Sequence, residues 1–112
     1  MSEITTHVLD VSVGQPAAGV PVTLEIESAG NWKELSRGAT DSDGRLRHLL
    51  VPGSLVNGTY RLSFETKAYF KSRKVKGLYP EVAIVFQVRN AKEHYHIPLL
   101  LSPFGYSTYR GS

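Results

Sequence analysis

The chain has 112 residues, of which 41% are hydrophobic and 21% are charged, and its 13 Lys and Arg against 10 Asp and Glu give a net charge of +3. Domains usually hold about 100 to 200 residues, so this length predicts one domain over residues 1–112 and excludes a second folded domain. The absence of Cys excludes a disulfide scaffold, a Cys-ligated zinc site and thiol catalysis.

Membrane attachment and secretion find little support in the sequence. The longest apolar stretches, such as 97–101, fall well short of the roughly 20 residues that a transmembrane helix requires. The first ten residues also lack the basic start and the continuous apolar run of a secretory signal. We therefore expect a soluble cytoplasmic protein with no membrane partner.

Apolar and polar residues alternate along most of the chain, and this period of two is typical of half-buried strands. In 20–28, for example, Val22, Leu24 and Ile26 alternate with polar neighbours. The run 82–89 is apolar on much of its second face as well, which predicts a central or interfacial strand. Turn-forming residues separate the runs and leave room for eight strands, at 4–12, 20–28, 33–38, 45–49, 58–66, 82–89, 94–101 and 105–110.

The region between the fifth and sixth predicted strands differs from the rest. It contains the one predicted helix, 67–75, and a cluster of basic residues with no acid between Glu65 and Glu81. A nucleic-acid site would also need a recognisable binding module, which is missing, so we interpret the cluster as a solvated helical turn or loop. Strands at this spacing with so little helix predict an all-β antiparallel sandwich.

Histidine exchanges protons readily near neutral pH, which makes the four histidines the first candidates for chemistry. His94 and His96 are two residues apart on a predicted strand, so their side chains share a face. His7 shares a face with Leu9 by the same parity. A His-x-His pair on a strand is also a fragment of some zinc and copper sites, or it can simply lie on a solvated sheet face. Spacing alone leaves these alternatives open.

The residues also bear on serine catalysis, nucleotide binding and anion binding. No serine lies in a Gly-x-Ser-x-Gly elbow, and no glycine-rich loop joins a strand to a helix, so serine catalysis and nucleotide binding find little support. Arg45 follows Asp43 and Gly44 at the start of a predicted strand, where its guanidinium can hold a planar anion through two parallel hydrogen bonds. The alternative is a surface arginine paired with a nearby acid.

Three separated segments are informative in combination. They are TTHVLD at 5–10, TDSDGR at 40–45, and the end of the chain, with HYHIPLLLS at 94–102 and YSTYRGS at 106–112. Together they closely resemble the transthyretin-like 5-hydroxyisourate hydrolases. Transthyretin, the thyroid-hormone carrier, is similar in fold but lacks the first-strand histidine, the Gly-Arg, the His-Tyr-His and the Tyr-Arg-Gly-Ser of the enzymes. The resemblance therefore implies the enzyme branch.

The resemblance also implies an architecture and an assembly. It implies a transthyretin-like antiparallel sandwich of two four-stranded sheets with one short helix near 67–75, assembled as a homotetramer, a dimer of dimers with sites between the dimers. The alternation of side chains along the strands agrees with such an assembly. It places His7 and Leu9 on one mixed polar and apolar face, together with His96, Pro98 and Leu100. An interface would bury such a face and bring two copies to one cleft.

The implied activity is hydrolysis of 5-hydroxyisourate, the unstable product of urate oxidation, to 2-oxo-4-hydroxy-4-carboxy-5-ureidoimidazoline. The implied catalytic residues are His7, Arg45, His96 and Ser112, and Tyr109 is implied to contact the substrate together with His7, Arg45 and Ser112. We expect no metal, no cofactor and no nucleic-acid partner. Two other functions stay open at this point, a carrier of an aromatic ligand and a metal-binding or structural protein.

Overall fold

The computed structural model describes residues 3–112, which form two β-sheets packed face to face and one short helix. This confirms the predicted all-β sandwich. The elements in chain order are β1 (Ile4–Asp10), β2 (Gln15–Pro16), β3 (Pro21–Ser28), β4 (Asn31–Ala39), β5 (Arg45–Leu46), β6 (Gly58–Phe64), α1 (Thr66–Ser72), β7 (Val82–Val88), β8 (Tyr95–Ser102) and β9 (Gly105–Thr108).

The two sheets differ in regularity. One has the order β4-β3-β6-β7, and all its pairs are antiparallel. The other has the order β2-β1-β8-β9, with β5 also paired to β1, so it has five strands rather than the four that were predicted. The additional strand, β2, spans two residues, which is too short for any alternation to appear in the sequence.

Strand β1 pairs with β8 in parallel, and the prediction of a fully antiparallel sandwich is wrong at this pair. Antiparallel neighbours can be joined by a tight turn, whereas parallel neighbours need a long crossover. Here the crossover includes the whole second sheet, because β3, β4, β6 and β7 all lie between β1 and β8 in the chain.

Alternate residues of both sheets point inward and form the core. Burying each large aliphatic side chain contributes about 1.5 to 3 kcal/mol relative to exposure. The inward residues of β1 and β8 pack against those of β3 and β6, with β7 along one side. Fully buried members of this core include Ile4, Val8, Val22, Leu24, Leu62, Phe64, Val82, Leu99 and Leu101.

Strand β7 lies at the edge of its sheet and pairs only with β6 among the described residues. The prediction of a central strand for 82–89 is therefore wrong, and the interfacial alternative stays a prediction. Val85 on its outer face is 56% exposed. An edge strand leaves one row of backbone N–H and C=O groups unpaired within its sheet, and the described residues do not bury the outer face of β7 at Val85.

Helix α1 is tied to the end of β1 by a buried polar cluster. Asp10 and Tyr69 are 1% and 4% exposed, and the Tyr69 hydroxyl donates to Asp10 Oδ2 at 2.8 Å. The backbone N–H and the hydroxyl of Ser12 both donate to Asp10 Oδ1. Burial and the neighbouring carboxylate raise the pKa of Tyr69 to about 12.

The described helix α1 has seven residues, and within residues 3–112 no helix has the length and apolarity needed to cross a membrane. The cytoplasmic location stays a prediction.

Candidate active site

The outer face of β1 and β8 carries the mixed surface that parity predicted. The parallel register places Thr5 beside His96, His7 beside Pro98, and Leu9 beside Leu100. Residues at these positions point away from the core, while their neighbours in the chain, such as Val8 and Leu99, are fully buried. The predicted common face of His7, Leu9, His96, Pro98 and Leu100 is therefore confirmed.

The turn before β5 brings Arg45 beside His7. The Asp41 side chain accepts hydrogen bonds from the backbone N–H groups of Asp43 and Arg45, both at 2.9 Å. Gly44 has φ of 75°, and a Cβ there would lie 2.4 Å from the carbonyl oxygen of Val8. Only glycine fits this close approach, which pairs Arg45 with His7 across β5 and β1.

The Arg45 guanidinium is not committed to a nearby acid. Within residues 3–112 it forms no ion pair, whereas Arg47 lies 3.6 Å from Asp41 Oδ2. Hydrogen bonding from the Arg45 backbone is the main cause that lowers the pKa of Asp41. The alternative of an Arg45 side chain paired with a nearby acid is therefore not observed among these residues, and the neighbouring Arg47 makes such a pair instead.

The C-terminal residues fold back across β8. The N–H of Gly111 donates to the carbonyl of His96 at 2.8 Å, and a Cβ on Gly111 would lie 2.5 Å from His96 Cδ2. Arg110 stacks over the ring of Tyr95 and donates to Glu93 at 2.9 Å. Glycine at 111 thus lets the tail lie directly on the imidazole, which carries Ser112 to the same surface.

These elements line a small open cavity of about 170 Å³ on the outer face. It contains three of the four residues predicted to be catalytic, Arg45, His96 and Ser112. Its lining holds two arginines, two histidines and no acidic side chain, so the cavity favours an anionic or electron-rich ligand. The lining residues are Thr5, Thr6, Arg45, Arg47, His94, His96 and Ser112.

The other two predicted site residues, His7 and Tyr109, do not line this cavity. His7 is half-buried, does not line it, and stands opposite Arg45 in the strand register. It is close enough for its charge to influence His96. Tyr109 follows β9, is 57% exposed and does not line the cavity in a single chain. The structure thus brings His7, Arg45, His96 and Ser112 to one region and leaves Tyr109 outside it.

The environment of His96 favours its neutral form. Burial lowers the pKa of His96 below its usual range, and the positive charges of His94, Arg45 and His7 lower it further. A neutral imidazole has one nitrogen free to accept a proton. His96 is thus available as a base at neutral pH.

Thr5 is a member of this site that the sequence reasoning did not assign. Its hydroxyl lies 2.7 Å from His96 Nδ1 and 3.1 Å from His94 Nε2. The two imidazoles stack with centroids 6.3 Å apart, which confirms that His94 and His96 share a face, although His94 precedes β8 rather than lying within it. The sequence could have indicated Thr5, because Thr5 and His7 are two residues apart on β1 and their side chains therefore share a face.

No group of three or more His, Cys, Asp or Glu side chains within the described part of the chain is arranged to hold a metal ion. A larger cavity of about 650 Å³ lies elsewhere, between α1 and the loop that follows it. Its charged lining consists of Lys67, Lys71, Lys74 and Lys76. These side chains are exposed, in agreement with the interpretation of the basic cluster as a solvated turn and loop.

The chain is similar to known proteins over nearly its whole length. The model of a family described as "Transthyretin: HIUase/Transthyretin family" matches residues 4–111. A relative named 5-hydroxyisourate hydrolase, from Salmonella dublin, is 45% identical over 97% of this chain and 80% of its own length. The solved structure of Klebsiella pneumoniae 5-hydroxyisourate hydrolase has a TM-score of 0.87 and 37% identity, with each chain covered completely.

A second similar solved structure is that of a transthyretin. Sea bream transthyretin in complex with thyroxine has a TM-score of 0.92 and 31% identity, with 97% of this chain and 94% of that chain covered. A hydrolase and a thyroxine-bound transthyretin therefore share this backbone almost equally well. The choice between them depends on the side chains of the cavity, since fold similarity alone does not assign an activity.

Proposed function

Since the chain belongs to the HIUase/transthyretin family, we propose that it hydrolyses 5-hydroxyisourate to 2-oxo-4-hydroxy-4-carboxy-5-ureidoimidazoline, in the degradation of urate. Relatives named for this activity make it a hydrolase of the family. The observation that carries the proposal is the meeting of Arg45, His96 and Ser112 in one cavity, with His7 beside Arg45.

In the proposed reaction a water molecule attacks a ring carbonyl of the substrate. His7 and His96 orient the water, and a neutral imidazole takes its proton. The water oxygen bonds to the carbonyl carbon, the ring C–N bond breaks, and the proton passes to the departing nitrogen. A carboxyl group and an opened ring result, so the step needs no cofactor.

Arg45 is proposed to hold the substrate and to offset its developing negative charge. A guanidinium donates two parallel hydrogen bonds to a planar anionic group, and that of Arg45 makes none to the described residues. Preorganised donors of this kind typically contribute about 100- to 1,000-fold to turnover.

Ser112 and Tyr109 complete the proposed site. Ser112 lines the cavity, and its hydroxyl is proposed to orient the water or a histidine tautomer. Tyr109 is proposed to contact the substrate from the margin, and its bulk would obstruct a long channel of the kind that suits a hormone.

We further propose a homotetramer, a dimer of dimers, in which the outer face of β1 and β8 is an interface. The cavity of about 170 Å³ is smaller than the roughly 300 to 1,000 Å³ typical of ligand sites, so a facing copy would complete it. Sedimentation velocity should give a tetramer, and Leu100→Glu should dissociate it, whereas Leu35→Glu on β4 should not. A monomer with full activity would contradict this assembly.

The direct test follows freshly generated 5-hydroxyisourate by ultraviolet absorbance, with purified protein and a chelator present. We expect decay much faster than the spontaneous reaction and unaffected by the chelator. Stoichiometric binding of an aromatic ligand without turnover would favour a carrier instead. Activity lost on chelation, with zinc or copper in the purified protein, would favour a metal-binding protein.

A further inference from the structure

The hydroxyl of Thr5 is shared between two imidazoles. It lies 2.7 Å from Nδ1 of His96 and 3.1 Å from Nε2 of His94. Thr5 is 3% exposed and stands beside His96 in the β1–β8 register. Strand pairing therefore fixes this hydroxyl against the edge of the His96 ring that carries Nδ1, and the other nitrogen, Nε2, lies on the opposite edge.

A hydroxyl has one proton, so Thr5 can donate to only one of the two rings and must accept from the other. If it donates to His96 Nδ1, the proton of neutral His96 sits on Nε2 and that ring has no free basic nitrogen. If it donates to His94 Nε2, then His96 Nδ1–H donates to Thr5 and His96 Nε2 keeps its lone pair. The protonation of the two rings is thereby coupled.

The surroundings favour the second arrangement. Arg45 and Arg47 line the same cavity as His96. Since Thr5 occupies the Nδ1 edge of the ring, Nε2 is the nitrogen left to face these guanidinium groups, and positive charge favours a lone pair over an N–H there. His94 is exposed, so its Nδ1–H can be hydrated without cost. The third histidine, His7, is among the neighbouring charges that disfavour a doubly protonated His96.

We infer that Thr5 and His94 are positioning residues that hold the proton of His96 on Nδ1 and leave Nε2 free as the base. This inference rests on the proposed function for its effect on turnover. In that step the proton of the attacking water moves to His96 Nε2 and then to the departing ring nitrogen. Throughout, His96 Nδ1–H donates to Thr5, and the Thr5 proton stays directed at His94 Nε2.

Kinetics of three variants test the effect on turnover. Thr5→Val removes the hydroxyl and should lower kcat about 10- to 100-fold, the cost that losing the hydrogen-bond partner of a histidine has at metal sites, with KM within about twofold. Thr5→Ser keeps a hydroxyl and should restore most of kcat. Thr66→Val is the matched control, because Thr66 is buried, its hydroxyl donates to the backbone carbonyl of Tyr79, and neither residue lines the site cavity. A Thr5→Val enzyme with unchanged kcat would overturn the inference.

The variant His94→Phe tests the same coupling from an exposed position, where folding is not at risk. Without His94 the Thr5 proton turns to His96 Nδ1, so kcat should fall as in Thr5→Val, and combining the two changes should add little. Additive losses in the double variant would contradict a shared mechanism.

Nitrogen-15 NMR of the imidazoles without substrate reads the tautomer directly and independently of turnover. In the unaltered chain, His96 should carry its proton on Nδ1, and in His94→Phe the proton should move to Nε2. A proton on Nε2 in the unaltered chain would overturn the inference. The inferred tautomer in a protein that does not hydrolyse 5-hydroxyisourate would support the proton placement and refute the proposed function.

Discussion

Strand β1 carries a polar cluster at each end, and the two clusters differ in how fully their hydrogen-bonding groups are used. Near Asp10, a sealed carboxylate accepts from Ser12 and Tyr69. Near Thr5, one hydroxyl joins two imidazoles, while the guanidinium of Arg45 and Nε2 of His96 make no hydrogen bond within residues 3–112. A buried polar cluster whose donors and acceptors are all paired stabilises the fold. An open cluster, in which some donors and acceptors are unpaired, can still bind a ligand.

The largest effects should come from removing the open cluster's own groups. His7→Ala, Arg45→Ala and His96→Asn should each lower kcat/KM about 100- to 10,000-fold, with Tm nearly unchanged, because these side chains are not in the core. The matched control is His48→Asn, an exposed histidine outside the cavity. Near-normal turnover in all three variants would refute the assigned roles.

The segment 109–112 provides a sharper test, because Gly111 lies directly against His96. In Gly111→Ala the new methyl group would meet His96 Cδ2 at 2.5 Å, and displacing a reacting group by about 1 Å can cost about 100-fold in rate. Gly105→Ala is the control, since the nearest atom is 3.7 Å away. A tag fused after Ser112 should also impair activity far more than an N-terminal tag, and equal tolerance at both ends would contradict a role for the tail.

The sealed cluster should respond in the opposite way. Tyr69→Phe leaves Asp10 buried without one of its donors, which should cost about 1 to 3 kcal/mol of the free energy of unfolding and lower Tm by several degrees, with kcat unchanged. Tyr79→Phe, at a half-exposed ring, should change neither. If Tyr69→Phe lost kcat without losing stability, the structural role of this cluster would be contradicted.

The same cluster also predicts an alkaline effect. The pKa of Tyr69 is raised to about 12, while in the unfolded chain it is about 10. The folded state therefore holds a proton that the unfolded state releases, and stability should be lost as pH rises from about 10 towards 12. Urea unfolding at several pH values should show this dependence, and Tyr69→Phe should reduce it.

The smallest effect concerns acid. Because the pKa of His96 is lowered by burial and by neighbouring charges, the rate should fall on acidification with a midpoint below about 6.5, by about tenfold for each further pH unit. The unfolded chain takes up this proton first, so stability should also decline as pH falls below about 6.5. A rate profile that is flat from pH 4 to 8 would remove histidine as the base.

Much of the fold could be predicted because strand signals are local. The alternation of Val22, Leu24 and Ile26 predicted β3, and it is confirmed with Val22 and Leu24 buried. Helix α1 and most strands lie within a few residues of the prediction. The short β2 and the truncated β5 could not be predicted, because two residues carry no periodic signal and their pairing with β1 depends on contacts elsewhere in the chain.

The candidate site could also be predicted only in part. The sequence by itself determined which face His7 and His96 occupy, because side-chain parity along a strand is a property of the local backbone. It also determined the Asp41–Gly44 turn, since the Asp side chain and the glycine φ act within a few residues. Only the tertiary structure decided three other features of the site. They are the parallel pairing of β1 with β8, the contact of Gly111 with His96, and the position of Thr5 between two imidazole rings. Thr5 and His96 are 91 residues apart in the chain, and at that separation packing, rather than local preference, sets which hydroxyl meets which imidazole.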